Sequence, residues 1–166
     1  MVADDAFADV LADNERYAAD FPLAGLEARA ARGLAVLTCM DSRIDPLRML
    51  GLVPGDAKIL RNAGARVTQD VLRTLVLADW LLGVDRLMVV PHTRCRMVAG
   101  DEAEVHEAIE AADGPDTRAL SFLTSSDQEE SLREDVQRVR SFPYLANLTV
   151  GGFLYDTDTG LLRQLV

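Results

Sequence analysis

The residues of this chain most able to do chemistry are two cysteines, two histidines and one Asp-x-Arg pair, and their spacing gathers most of them. Cys39, Asp41 and Arg43 stand at alternate positions after the apolar run Leu34-Ala35-Val36-Leu37 and Thr38. Such a run reads as a strand buried on both faces. If it stays extended, all three side chains point the same way, because side chains in a strand repeat every two residues. His92 and Cys95 follow another run, Arg86 to Val90, as a His-x-x-Cys turn. Two thiolates and one imidazole are the donor mix that zinc prefers over harder cations. Three protein ligands leave a fourth tetrahedral position, and water in that position marks a catalytic rather than a structural ion. Asp41 is placed either to occupy it or to accept a proton from the water there. Arg43 is placed to hold the Asp41 carboxylate in a bidentate pair, ionised and off the metal. Singly, each feature has a plainer reading: a buried cysteine is a small hydrophobe, and an Asp-x-Arg pair is a local salt bridge. What favours a site is convergence at the carboxyl ends of core strands, where parallel sheets bind their ligands. His106, set among Glu102, Glu104, Glu107 and Glu110, reads as a solvated surface residue.

The elements that must position these groups follow from periodicity. Phe7, Val10, Leu11, Asn14 and Tyr17 recur at helical spacing, predicting an amphipathic helix over about residues 4–18. Being terminal, it lays its apolar stripe on its own domain or on a neighbouring chain. Leu26 to Arg32 reads as a short helix closed by Gly33, and Asp45-Pro46 opens another that ends at Gly51. After a turn at Val53–Asp56, Ala57 to Leu60 is a second strand. Thr68 caps a helix from Gln69 to Leu82, apolar over nearly its whole surface and so expected to be buried on several sides. Arg86 to Val90 is the third strand. Asp101 to Ala112 is an acidic helix, and Ser126 to Arg140 a charged one with Leu132, Val136 and Val139 as its stripe. Leu145 to Tyr155 reads as a fourth strand, joined through Asp156–Gly160 as a hairpin turn to Leu161–Val166. Strands alternating with helices predict an α/β fold: one domain over residues 1–166, with a mainly parallel sheet of four to five strands flanked by helices.

Composition narrows the function classes. Seventeen basic against 27 acidic residues leave a net charge of −10, which argues against nucleic acid and anionic membranes as partners. No apolar run approaches the ~20 residues that span a bilayer. The acidic start Met1-Val2-Ala3-Asp4-Asp5 reads as no secretion signal, and two cysteines without one suit metal, catalysis or plain burial better than a disulfide, in the cytoplasm.

Several segments together resemble the beta-class carbonic anhydrases, best the short archaeal- and mycobacterial-like branch. They are Cys39-Met40-Asp41-Ser42-Arg43, Gly55 through Gly64, His92-Thr93-x-Cys95, Glu129 through Val136, Ser141 through Leu145, and Gly152 through Gly160. The resemblance implies a zinc enzyme interconverting carbon dioxide and bicarbonate, with one Zn2+ per chain on Cys39, His92 and Cys95. It implies that Asp41 and Arg43 form the catalytic pair, Asp41 orienting zinc-bound hydroxide when paired and becoming the fourth ligand only in a closed form. Asn62, Ala63 and Gly64 would lie beside the substrate pocket. The family is a homodimer or homotetramer gripped by the N-terminal helix. This chain departs from the pattern at Arg94 and Arg96, where Asp and Gly are usual, and at Ala65, where a second glycine is common. Arg96 then blocks the pocket, binds bicarbonate or swings into solvent. Two alternatives stand beside the enzyme: a zinc-binding but catalytically silent protein, and a sibling hydrolase acting on carbon disulfide or carbonyl sulfide.

Overall fold

Strand β1 (Leu34–Cys39) is buried at every residue, as its unbroken apolar run requires of a strand covered on both faces. In the computed structural model, which describes residues 6–96 and 100–166, it is an interior strand, between β2 and β3, of a five-stranded sheet of order β2-β1-β3-β4-β5. Strands β2 (Ala57–Asn62), β3 (Arg86–Val90) and β4 (Thr149–Tyr155) join it in parallel, and β5 (Leu162–Gln164) closes the edge antiparallel to β4. The register aligns Cys39 with Asn62 and Thr38 with both Arg61 and Val90, so the carboxyl ends of β1, β2 and β3 finish together.

The two faces divide by the strand period of two. Ala35, Leu37, Leu87 and Val89 join a core with Leu72 and Leu75 of α2 (Gln69–Leu82) and Leu132, Val136 and Val139 of α4 (Gln128–Arg140). Leu34, Val36 and Val90 face the other way, against Leu47, Leu50, Leu52 and Phe153. Gly152 lets α4 approach β4 closely: a Cβ there would sit 3.0 Å from Leu132 Cγ and 3.1 Å from Val136 Cγ2. Helix ends follow their side chains. Thr68 accepts from the Val71 N–H at α2, Asp127 from the Glu130 N–H at α4, and Asp101 with Glu104 forms a capping box at α3 (Glu102–Ala111).

Five readings need correction. Leu26–Arg32 is turns and bends, because Ala31 and Arg32 give their amides to the carbonyls of Gly55 and Asp56 instead of to a helix. The segment after Asp45 yields only a 3₁₀ turn, Arg48–Leu50, with Gly51 left-handed at its end. The fourth strand starts at Thr149, since Pro143–Leu145 forms a 3₁₀ turn. Helix α2 is not enclosed: Leu77, Trp80 and Leu81 form an exposed face. His106 is largely covered, its Nδ1 2.9 Å from Thr117 Oγ1 and its ring packed at a tilt of 52° against Phe122. Helix α1 runs Ala8–Ala19 and buries no residue, leaving Phe7, Val10, Leu11 and Tyr17 exposed; Asp4 and Asp5, where the expected helix opens, lie outside the described residues. No described helix is long and apolar enough to cross a membrane.

Candidate metal centre

Cys39 is the last residue of β1, and the ladder extends one step further, with the Met40 N–H donating to Asn62 O at 2.9 Å. The backbone then turns. Ile44 N–H donates to Asp41 O, so the extended run expected through Arg43 stops short, and Arg43 folds back onto Asp41. Arg43 gives Asp41 three hydrogen bonds: backbone N and Nε to Oδ1, each 2.9 Å, and Nη2 to Oδ2 at 2.8 Å. This fork holds the Asp41 carboxyl well below the usual carboxylate range, and Asp41 stays ionised. Arg61, at the end of β2, fixes the same turn from below, Nε to Cys39 O at 3.0 Å and Nη2 to Asp41 O at 2.7 Å. That role was missed in the sequence, although Arg61 stands in the segment shared with the resembling family.

His92 and Cys95 arrive from the end of β3. Cys39 Sγ and Cys95 Sγ lie 3.7 Å apart, and with the His92 ring nitrogen they form a buried group of three possible ligand atoms within 4.8 Å of one another. His92 Nδ1 lies 2.9 Å from Thr93 O and donates to it, which leaves the lone pair on Nε2. Nε2 is fully buried without a hydrogen-bond partner among the described residues, a costly condition for a polar atom, and Asp41 Oδ2 stands 3.7 Å away. The Gly64 N–H donates to Cys39 Sγ at 3.4 Å. Hydrogen bonding with Cys95, opposed by burial and aided by His92 and the Gly64 amide, pushes the Cys39 thiol down to about 4. Burial pulls His92 downward, but Cys39, the Thr93 carbonyl and Asp41 outweigh it and the net shift is upward. A thiolate, a second sulfur and an imidazole nitrogen with no other partner make a donor set that fits a soft divalent cation.

The remaining expected residues take different parts. Asn62 lies beside the centre, but its amide is occupied: Nδ2 donates to Arg66 O at 2.7 Å and Oδ1 accepts from Arg66 N at 2.9 Å. These bonds close the loop Ala63–Ala65, in which Gly64 (φ 77°) and Ala65 (φ 60°) are both left-handed. Met40, Asp41, Ser42, Arg43, Arg94 and Arg96 frame an open cavity of about 720 Å³ that Asp41 lines. Arg94, left-handed at φ 53°, ion-pairs with Asp158 in the β4–β5 turn. Arg96 is exposed on the same rim.

Sheet and site together define a protein with a soft three-donor pocket at the carboxyl edge of a parallel sheet. The family model described as carbonic anhydrase matches residues 34–162, and the chain belongs to the beta class of that family. It is 34% identical over 160 residues to Beta-carbonic anhydrase 1 of Mycobacterium tuberculosis, covering 95% of this chain and 96% of the relative. A carbonic anhydrase structure from Streptococcus mutans superposes with a TM-score of 0.89 at 37% identity, covering 96% of this chain and 97% of the other. A carbon disulfide hydrolase of Acidianus is 30% identical over 157 residues, covering 80% of this chain and 77% of that protein.

Proposed function

We propose that this chain catalyses the reversible hydration of carbon dioxide to bicarbonate and a proton, with one zinc ion per chain held by Cys39, His92 and Cys95. The observation that carries the reading is the buried, unpartnered His92 Nε2 beside two thiols and 3.7 Å from an ionised carboxylate. Zinc, when bound, supplies Lewis acidity that lowers the pKa of a coordinated water toward ~7. The chain's own groups supply the rest. Thr93 O selects the His92 tautomer with Nε2 free. The Gly64 amide and Cys95 stabilise the Cys39 thiolate. Arg43 keeps Asp41 ionised and turned to the cavity, so its carboxylate accepts a hydrogen bond from the substrate water and orients it instead of storing its proton. A carboxylate held so far below its ordinary range is a poor proton acceptor at neutral pH, which favours the orienting role.

The likeness to a carbon disulfide hydrolase supports a second reading with the same residues and a different small heterocumulene as substrate. Stopped-flow assays with carbon dioxide and with carbon disulfide, at measured zinc content, decide between them. Turnover of carbon dioxide supports the first; turnover of carbon disulfide alone supports the second; a zinc-loaded chain inert to both overturns both. In this reading the protein is a homodimer or homotetramer. The exposed apolar residues of α1 supply the contact, and the conversion of Leu11 to Asp should lower the mass measured by light scattering. Two buried cysteines whose sulfurs lie 3.7 Å apart without a disulfide bond suit a reducing cytoplasm.

A further inference from the structure

The turn Asp156-Thr157-Asp158-Thr159-Gly160 joins β4 to β5, a task that needs only a tight reversal. Its side chains do more. His92 pairs with Tyr155 in an isolated parallel bridge, Thr93 N–H donates to Tyr155 O at 2.9 Å, and Tyr155 N–H donates to Pro91 O at 3.0 Å. Beyond this bridge the backbones part, and side chains take over. Thr157 N–H donates to Thr93 Oγ1 at 3.1 Å, and the two hydroxyl oxygens lie 3.1 Å apart. Thr157 Oγ1 lies 3.4 Å from Thr93 O. Each hydroxyl has one hydrogen, so the directions follow. Thr93 Oγ1, already an acceptor from Thr157 N–H, donates to Thr157 Oγ1; Thr157 Oγ1 is then free to donate to Thr93 O. Thr93 O is the same atom that accepts from His92 Nδ1. The Thr157 hydroxyl therefore bears on the group that sets the His92 tautomer and ring orientation.

We infer that Thr157 is a positioning residue for the metal centre: a clasp from the β4–β5 turn that holds the His92-Thr93-Arg94-Cys95 segment in its ligating shape. The inference rests on the reading of Cys39, His92 and Cys95 as metal ligands. Groups that hydrogen-bond to a metal ligand commonly change metal affinity by ~10–100-fold when removed, and Thr157, which acts one bond further out through the Thr93 carbonyl, should reach the low end of that range. Asp158 adds an ion pair to Arg94, but both side chains are more than half exposed, which makes it the weaker member. Arg94 occupies a left-handed backbone that a non-glycine side chain rarely adopts unless its surroundings hold it there. The Thr157 clasp is one such restraint.

The test compares wild type, Thr157→Val and Thr157→Ser by equilibrium competition for zinc against a chromophoric chelator. Urea unfolding of each metal-free chain is measured in parallel. Thr157→Val keeps the shape and removes the hydroxyl, and its zinc affinity should fall about 10-fold. Thr157→Ser should restore affinity to within about threefold of wild type. A merely structural turn would lower the stability of the metal-free Val variant and leave zinc affinity unchanged; that outcome overturns the inference. So does equal loss in the Val and Ser variants. Wild type that takes up no zinc overturns the metal reading itself, an outcome recognised before any variant is compared.

Discussion

Replacing Asp41 with Asn exchanges one carboxylate oxygen for an NH2 group and tests the orienting role directly. Arg43 offers three donors to Asp41: the backbone N–H and Nε to Oδ1, and Nη2 to Oδ2. An asparagine amide has one oxygen and one NH2 group, so it cannot satisfy both positions. With its oxygen at the Oδ1 position it keeps two hydrogen bonds and sets its NH2 against Nη2. Flipped, it keeps one and sets NH2 against two donors. The first orientation wins, and it puts a donor where Oδ2 now stands, 3.7 Å from His92 Nε2. The cavity side of the residue thus loses its acceptor, while the three ligand atoms are untouched. Loss of one positioned hydrogen-bond partner at a reacting centre typically costs ~10²–10³-fold in kcat, so Asp41→Asn should lower kcat for carbon dioxide hydration at least about 100-fold, or about 2.7 kcal/mol of barrier. Stopped-flow kinetics at matched zinc content, with metal measured by mass spectrometry, is the assay. Full zinc occupancy with kcat within about threefold of wild type would remove Asp41 from the chemistry and refute the argument. Loss of zinc together with activity would refute it differently, by making Asp41 a ligand in the resting protein.

Three further outcomes follow from the geometry. In the metal-free protein, thiolate absorbance should titrate near pH 4, where hydrogen bonding with Cys95 holds Cys39, against ~8.5 for an ordinary thiol. Because the folded value is the lower one, the stabilisation is present in full above ~8.5 and lost as pH falls through about 4, so metal-free stability should rise with pH across that window; an absorbance step only near pH 8 contradicts it. Asp135→Ala should cost about 3 kcal/mol in urea unfolding, the low end for breaking a buried pair, because it strands Arg66, which loses a 2.7 Å bond to Asp135 but keeps the Leu123 carbonyl; a loss under about 1 kcal/mol would mean the arginine has found water. Ala65→Gly should be close to neutral: relief of the left-handed backbone gains ~1–2 kcal/mol, offset by ~0.8 for the buried methyl and ~0.4–1 for the freer unfolded chain. A shift beyond about 1.5 kcal/mol in thermal or urea unfolding would show that this balance omits something.

The parts of this fold legible in the sequence are those set by neighbours along the chain. The apolar run Leu34–Leu37 announces a doubly covered strand, and Thr68 and Gly83 bound α2 because a cap and a left-handed stop are local devices. The grouping of the three candidate donors was legible because residue type restricts them so strongly: only two cysteines exist, and only one histidine follows a core strand. The errors came where a distant segment decides. Leu26–Arg32 has helical composition, yet Gly55 and Asp56 supply carbonyls that take its amides. His106 looks solvated among four glutamates, yet Thr117 and Phe122 fold over it from the following loop. The α2 residues Leu77, Trp80 and Leu81 look like core because periodicity cannot say how many faces have a covering layer.

The two arginines at the departure from the family pattern illustrate the same division. From the sequence, Arg94 and Arg96 are two cations flanking a ligand, and both threaten the pocket. In the fold they separate. Arg94 turns left-handed and spends its charge on Asp158, while its carbonyl accepts weakly from Arg43 Nη2 at 3.5 Å. Its substitution for an acid thus exchanges a charge near the ligand for a link to the β4–β5 turn, the same turn that reaches Thr93. Arg96 retains an exposed position on the cavity rim. Of the two, Arg96 is therefore the one whose removal should change how anions reach the centre. Arg96→Gly should raise the KM for bicarbonate and leave the KM for uncharged carbon dioxide unchanged. An equal change in both would place Arg96 in the general architecture of the loop instead of at the entrance.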